Sequence, residues 1–379
     1  MKRLISLAAL AMAMTLSAAT PEEIISEVKK SAAPDSRQAV FEITAEASAS
    51  GATVLRGNTS EESARKALRD AFDRAGIEYI DSVNVYPAAD MALVSIPVAT
   101  LRTRPAHAGE VSTQAVMGTP VRILEESRGW YRAQTPDGYI AWVPTSSLAP
   151  KTADEMAAWR SASDRYVVKN LWQAHAFTAP DEYGPRDVVT DLVLGAIVQS
   201  DGRTENGRML VTLPDGRKGW ADAADLEPIT LWADQRFDAK VILNTAYSLE
   251  GSPYLWGGTS IKSVDCSGLV KVSYLNNGII LRRDASQQAL TGEKLDPTDW
   301  SGYEAGDLLF FGNSESGRVT HVAIYDNNAS YIHSSGRVKR NSLDPESPSY
   351  LYSPLSVSRI NGREGTDGII RVINHPWYF

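Results

Sequence analysis

One segment of the chain occurs twice. Thr135-Pro136-Asp137-Gly138-Tyr139-Ile140-Ala141-Trp142 is echoed 78 residues later by Leu213-Pro214-Asp215-Gly216-Arg217-Lys218-Gly219-Trp220, and Leu148 and Leu226 keep the offset. Upstream, Met117-Gly118-Thr119-Pro120-Val121 is matched by Leu194-Gly195-Ala196-Ile197-Val198. Proline presets φ and glycine accepts φ > 0, so Pro-Asp-Gly between alternating segments is a hairpin turn with a mechanism. Short strands joined by such turns predict two small β-barrels in tandem, over residues 86–150 and 160–229. Residues 151–160 and 231–238 read as helical or linker-like connectors.

The flanks are of a different kind. Ala39-Val40-Phe41-Glu42-Ile43 reads as a strand. Ala64, Leu68, Phe72 and Ala75 recur at helical spacing over 60–75, with Thr59 or Ser60 as the cap, and residues 79–85 read as a further strand. Residues 20–85 are therefore expected to form a small α+β module whose chemistry is not legible. At the N-terminus, Lys2 and Arg3 precede an apolar run from Leu4 to Leu16 that is too short to span a bilayer. Ser17-Ala18-Ala19 then supplies the small residues of a cleavage site, so residues 1–19 read as a signal peptide. The mature protein is expected to be periplasmic or extracellular, without a transmembrane segment, and monomeric. A net charge of −8 argues against nucleic acid as a partner. No His/Cys/carboxylate cluster has ligand spacing, so neither a metal nor an organic cofactor is implied.

The only cysteine, Cys266, lies in Trp256-Gly257-Gly258…Val264-Asp265-Cys266-Ser267-Gly268-Leu269-Val270. A lone cysteine forms no internal disulfide; it is an inert core thiol, an intermolecular link or a reactive group. Gly257 and Gly258 provide a turn, and Gly268 permits close backbone approach. Leu269, Val272 and Leu275 start a helical pattern that stops at Asn277-Gly278. Cys266 is thus expected at a helix N-terminus, where unpaired N–H groups and the helix dipole lower a thiol pKa. Two histidines follow in strand-like segments: Thr320-His321-Val322-Ala323-Ile324-Tyr325, then, across an Asp326-Asn327-Asn328 turn, Ser330-Tyr331-Ile332-His333-Ser334. A hairpin centred on Asn327 sets His321 directly opposite His333, which suits a base and its orienter beside a nucleophile.

Asp265-Cys266-Ser267-Gly268, Gly306-Asp307-Leu308, His321-Val322-Ala323-Ile324-Tyr325, and His333 twelve residues on resemble the NlpC-type cysteine peptidases, papain-like enzymes that cut bacterial cell-wall peptides. The resemblance covers about residues 237–379. It implies an α+β fold in which the helix carrying the cysteine packs on an antiparallel sheet. Cys266 would be the nucleophile, His321 the base and His333 the third polar residue. In relatives specific for the γ-D-glutamyl bond, a Tyr, an Asp before the Cys and an Asp-Ser pair line the substrate site. Here these positions are Tyr254, beside Trp256, then Asp265, beside Ser267, and Asp284-Ala285; Ala285 lacks the hydroxyl, and Ser286 would point elsewhere if the segment is extended. The two repeats resemble bacterial SH3 domains. In those relatives the first leans over the cleft and meets the substrate's free amine, which implicates Glu110 and Tyr139. The resemblance as a whole implies an exported endopeptidase acting on the γ-D-glutamyl–diamino acid bond of peptidoglycan stem peptides, most naturally free peptides in recycling. The alternatives are a lysin acting on intact wall and a non-catalytic wall-binding protein.

Overall fold

The computed structural model describes residues 19–49 and 51–379. Apart from Ala19, the expected signal peptide lies outside the described residues. The chain divides into two units, one ending at Tyr86 and the other beginning at Pro87.

In the first unit, α1 (Pro21–Ala32) opens on a capping box made by Thr20 and Glu23. Strands β1 (Phe41–Ala47) and β2 (Thr53–Thr59) form a hairpin, and α2 (Glu62–Ala75) crosses from β2 to the parallel β3 (Tyr79–Val85). Ile24, Val28, Phe41, Leu55, Leu68 and Phe72 make the core. The helix begins later than expected. Glu61 occupies the N-cap without a side-chain cap bond, because Thr59 Oγ1 turns back to accept the Glu61 N–H.

The second unit opens with the repeat. The first copy runs β4 (Met91–Val94), β5 (Val98–Arg102), β6 (Val111–Val116), β7 (Pro120–Ser127), β8 (Trp130–Gln134), β9 (Ile140–Pro144) and β10 (Leu148–Lys151). After α3 (Ala153–Ser161), the second runs β11 (Arg165–Val168), β12 (Ala174–Phe177), β13 (Val188–Leu192), β14 (Ile197–Gln199), β15 (Thr204–Glu205), β16 (Arg208–Thr212), β17 (Lys218–Asp222) and β18 (Leu226–Pro228). The sheet orders are β10-β4-β7-β8-β9-β5-β6 and β18-β11-β14-β16-β17-β12-β13, with β15 paired to β16 off the path. Strand for strand the two are the same sheet. Neither is the closed barrel expected from the pattern. Each end strand pairs on one side only, and β5 meets β9 through the single pair Arg102–Trp142. The first sheet curls instead around a shared apolar face that includes Val94, Leu101, Val121, Ala133, Val143 and Leu148.

Both Pro-Asp-Gly turns form, with Gly138 and Gly216 at φ 86° and 88°. Both turns also dock. In the second, the Pro214 carbonyl accepts from Lys151 Nζ at 2.9 Å, against the first sheet. In the first, the Pro136 carbonyl meets His375 Nε2 at 2.9 Å, and Asp137 forms a buried ion pair with Lys271.

The rest of the chain is a two-layer domain. It comprises α4 (Ile229–Ala233), α5 (Ala239–Ser248), the short pair β19 (Thr259–Ser260) and β20 (Ser263–Val264), α6 (Cys266–Asn276), β21 (Ile279–Leu281) and α7 (Ala285–Gln288). The strands β22 (Glu293–Leu295), β23 (Leu308–Asn313), β24 (Arg318–Tyr325), β25 (Ser330–Ser335), β26 (Arg337–Ser342) and β27 (Ser356–Arg359) form an antiparallel sheet in the order β22-β27-β23-β24-β25-β26, and β28 (Ile369–Arg371) pairs with β21. Helices α5 and α6 pack on one face through Ile242, Leu269, Leu308, Phe310, Val322, Ile324 and Ile332. Helix α6 is C-capped by Asn277, followed by Gly278 at φ 67°.

Lys271 is on α6, so the Asp137 pair ties the first repeat to that helix. Burial alone would raise the Asp137 carboxyl, but Lys271 and Thr135 hold it below its ordinary value. Removing one partner of a buried pair leaves the other uncompensated, at a cost of about 3–5 kcal/mol. Asp137→Asn is expected to lose about that much stability, and Lys271→Met added to it to restore part. Urea unfolding checks both; a single variant as stable as the parent would remove the pair from the account.

Candidate active site

Cys266 is the first residue of α6, where backbone N–H groups lack intrahelical partners. Asp265 caps the helix, accepting from Gly268 N at 2.7 Å through Oδ1 and from Gly257 N at 2.9 Å through Oδ2. Arg283 meets both carboxylate oxygens, at 3.2 and 2.6 Å, and donates to Ser267 Oγ at 2.9 Å. Arg283 and Asp265 side chains are 1% and 8% exposed, a fully desolvated bidentate pair. Although burial opposes it, Asp265 raises the guanidinium pKa, with Asp284 and Tyr139 adding to the effect. The chain approaches itself closely here. A Cβ at Gly268 would lie 1.9 Å from the Gly258 carbonyl oxygen, which is why glycine follows Cys-Ser. Gly257, at φ 79°, leaves room for Val111 of β6, whose carbonyl oxygen would lie 2.6 Å from a Cβ there.

The ladder between β24 and β25 pairs Tyr325 with Tyr331 and Ile324 with Ile332 and then stops. Beyond it the start of α6 lies against β24. The Val322 and Ser267 N–H groups face the Cys266 sulfur, and Ser334 Oγ donates to the Val264 carbonyl at 3.1 Å. The register differs from the expected one. Asn328 and Ala329 both adopt positive φ, 45° and 61°, so the turn closes with Asp326 opposite Ser330. Continued from the Ile324–Ile332 pair, this register sets His333 across from Ala323, diagonal to His321. Long side chains reach across such a diagonal, and His321 Nε2 lies 2.7 Å from His333 Nδ1. His333 Nε2 in turn lies 2.8 Å from Oδ1 of Asn341, on β26.

The electrostatics reverse one expectation. Burial, with Asp265 adding to it, pushes the Cys266 thiol up to about 11, outweighing the N–H groups aimed at the sulfur. Burial also pushes His321 down to about 4, helped by His333 and Lys339, and His333 to about 4 despite its bond to Asn341. The resting pair at neutral pH is therefore thiol and neutral imidazole. The linkage has a definite sign. Between pH 6.5 and about 4 the unfolded histidines bind protons that the folded ones do not, so stability falls as pH drops through that window. Each imidazole contributes a slope approaching about 1.4 kcal/mol per pH unit. Urea unfolding from pH 7 to pH 5, above most carboxylate titration, is expected to show this loss, with a shallower slope in His333→Asn. Equal slopes in the two proteins would contradict it.

The remaining residues separate. Tyr254 lies by the thiol; burial raises its pKa, with Cys266 and Asp265 contributing. Trp256 is 61% exposed on the rim. Asp265 and Ser267 are buried and committed to Arg283 and the helix cap. Asp284 caps α7, Ala285 is buried, and the segment is helical, not extended. Glu110 is exposed, one residue before Val111. Sequence reasoning missed Arg283 and Asn341. Arg283 had a signal, its place directly before Asp284; Asn341 had none without the strand register.

Residues 251–356 match the NlpC/P60 family, and residues 101–148, within the first repeat, match the bacterial dipeptidyl-peptidase Sh3 domain. The γ-D-glutamyl-L-lysine dipeptidyl-peptidase of Bacillus cereus is 28% identical over 259 residues, 65% of this chain and 74% of that protein. Dipeptidyl-peptidase 6 of Lysinibacillus sphaericus is 28% identical over 270 residues, 68% of this chain and 94% of that one. A solved NlpC/P60 family protein from Bacillus cereus shares the fold, with a TM-score of 0.59 at 21% identity over 71% of this chain and 99% of that one. The chain thus carries an NlpC/P60 domain preceded by a bacterial SH3 domain, and it is a cysteine peptidase.

Proposed function

We propose that the protein is an exported, periplasmic or extracellular endopeptidase that hydrolyses the γ-D-glutamyl–diamino acid bond of peptidoglycan stem peptides, and that its substrates are free peptides beginning with L-Ala. The observation that carries this reading is the single cysteine at the start of α6, under the N–H of Val322, the residue after His321, which is itself hydrogen-bonded to His333. The name of the Bacillus cereus relative, a γ-D-glutamyl-L-lysine dipeptidyl-peptidase, supports the bond.

His321 takes the Cys266 proton as the sulfur attacks the γ-carbonyl carbon. The Cys266 N–H at the helix start stabilises the oxyanion. His321 then returns the proton to the departing amine, leaving a thioester of the L-Ala-γ-D-Glu acyl group. Water, deprotonated by His321, releases the dipeptide and the thiol. Tyr254 and Trp256 line the substrate side, and Asp265, Ser267, Asp284 and Ala285 shape its floor.

The first repeat supports the preference for free peptides. Val111 packs on Gly257, and Glu110 precedes it; Tyr139 is close enough to Arg283 to affect its charge. Glu110 would pair the L-Ala ammonium, and Tyr139 would line the same end. Once a docked peptide excludes water, such a pair contributes about 1.5–3 kcal/mol, or about 10- to 150-fold. The test compares L-Ala-γ-D-Glu-L-Lys with its N-acetyl form at equal concentration. At least tenfold faster cleavage of the free amine is expected; similar rates would remove the gating role, and with it the basis for recycling over wall lysis.

A further inference from the structure

The two histidines form a relay only if their protons are ordered, and the order is set outside the pair. Asn341 Nδ2 lies 2.6 Å from the Ser349 carbonyl oxygen, which also accepts the Ser342 N–H at 3.2 Å. A carbonyl accepts and never donates, so the NH₂ group must face Ser349. The opposite amide orientation would bring two oxygens to 2.6 Å. Oδ1 therefore faces His333, at 2.8 Å from Nε2, and can only accept. His333 must carry its proton on Nε2, which leaves Nδ1 as a lone pair. That lone pair, 2.7 Å from His321 Nε2, requires a proton there. His321 is left with a bare Nδ1, the nitrogen not engaged by His333 and the one available to take the thiol proton.

We propose that Asn341, held by the Ser349 carbonyl, is the positioning residue that sets the proton polarity of the His333–His321 relay and so keeps His321 competent as the base. Reversing the Asn341 amide would reverse every bond in the relay. The NH₂ group would donate to His333 Nε2, His333 Nδ1–H would donate to His321 Nε2, and the His321 proton would move to Nδ1, where it cannot accept the thiol proton. The Ser349 carbonyl opposes that state, so the 343–355 loop that carries it is coupled to the base through Asn341 and His333. The proposal rests on the assignment of His321 as base and refines it.

Two measurements test it. Nitrogen-15 NMR of histidine-labelled protein near pH 7 reports the tautomers directly. His321 and His333 are both expected as Nε2–H imidazoles; His321 found as the Nδ1–H form in the parent protein would overturn the proposal without any variant. Steady-state kinetics on L-Ala-γ-D-Glu-L-Lys supplies the second. Asn341→Leu, which can neither accept nor donate, is expected to lower kcat about 10- to 100-fold with little change in KM and to mix the two tautomers, a smaller loss than that of a triad locked in the wrong tautomer. Asn341→Asp still accepts from His333 Nε2 but sets a carboxylate oxygen against the Ser349 carbonyl, so it is expected to recover part of kcat and to move the acid limb of the pH profile upward, because a carboxylate favours the imidazolium. Parental kcat and tautomers in Asn341→Leu, or no recovery in a folded Asn341→Asp, would overturn it. A His321→Ala variant with parental activity would instead refute the underlying assignment of the base.

Discussion

Cys266→Ala is expected to lower hydrolysis of γ-D-glutamyl peptides by about 10⁴-fold or more while the protein stays folded. The variant removes one sulfur from a residue only 7% exposed, a loss of about 1 kcal/mol of packing. What holds the site does not depend on that sulfur. The Asp265 cap, the Arg283 pair and the close contact of Gly268 with Gly258 remain. The effect on rate should therefore appear with little effect on unfolding. Cys266→Ser keeps the shape but offers a hydroxyl too weakly acidic for a neutral imidazole to activate, so it should be almost as inactive. A clean preparation of either variant cleaving at near the parental rate would overturn the mechanism.

His321→Ala is expected to cost about 10³- to 10⁴-fold, and His333→Ala less, about 10- to 100-fold. The reason is the proposed division of labour, in which His321 moves the proton and His333 orients the ring that does. His333 is only 1% exposed and bonded on both sides, so its alanine variant also leaves a hole, and thermal unfolding must be measured beside the rates. His333→Gln separates the two effects. An amide oxygen can accept from His321 Nε2, so this variant should retain more activity than His333→Ala at similar stability. Equal losses in all three variants would rule out the assigned roles.

What the sequence made legible was local. Pro-Asp-Gly makes the same turn wherever it sits, so the repeat was visible, as was the glycine-flanked cysteine before a helical pattern. The strand register was not, because Asn328 and Ala329 both adopt positive φ without glycine to announce it. The diagonal histidine geometry, and with it the contribution of Asn341 from a third strand, could not be seen for the same reason. The thiol pKa reversed because a helix N-terminus is a local signal, whereas burial under β24 and the proximity of Asp265 depend on the tertiary fold. Arg283 had its place before Asp284 as a signal, but only the fold buries it against Asp265. Barrel closure failed as an expectation since it depends on how the end strands meet, which alternation along each strand does not encode.

The most direct test is to catch the acyl-enzyme. Protein mixed with L-Ala-γ-D-Glu-L-Lys and quenched in acid within milliseconds should carry a thioester adduct with the mass of the L-Ala-D-Glu acyl group. After digestion, that adduct should map to the peptide containing Cys266 and disappear when Cys266 is alkylated beforehand. Hydrolysis that continues at the parental rate with Cys266 fully alkylated, or an adduct on any other residue, would contradict the account.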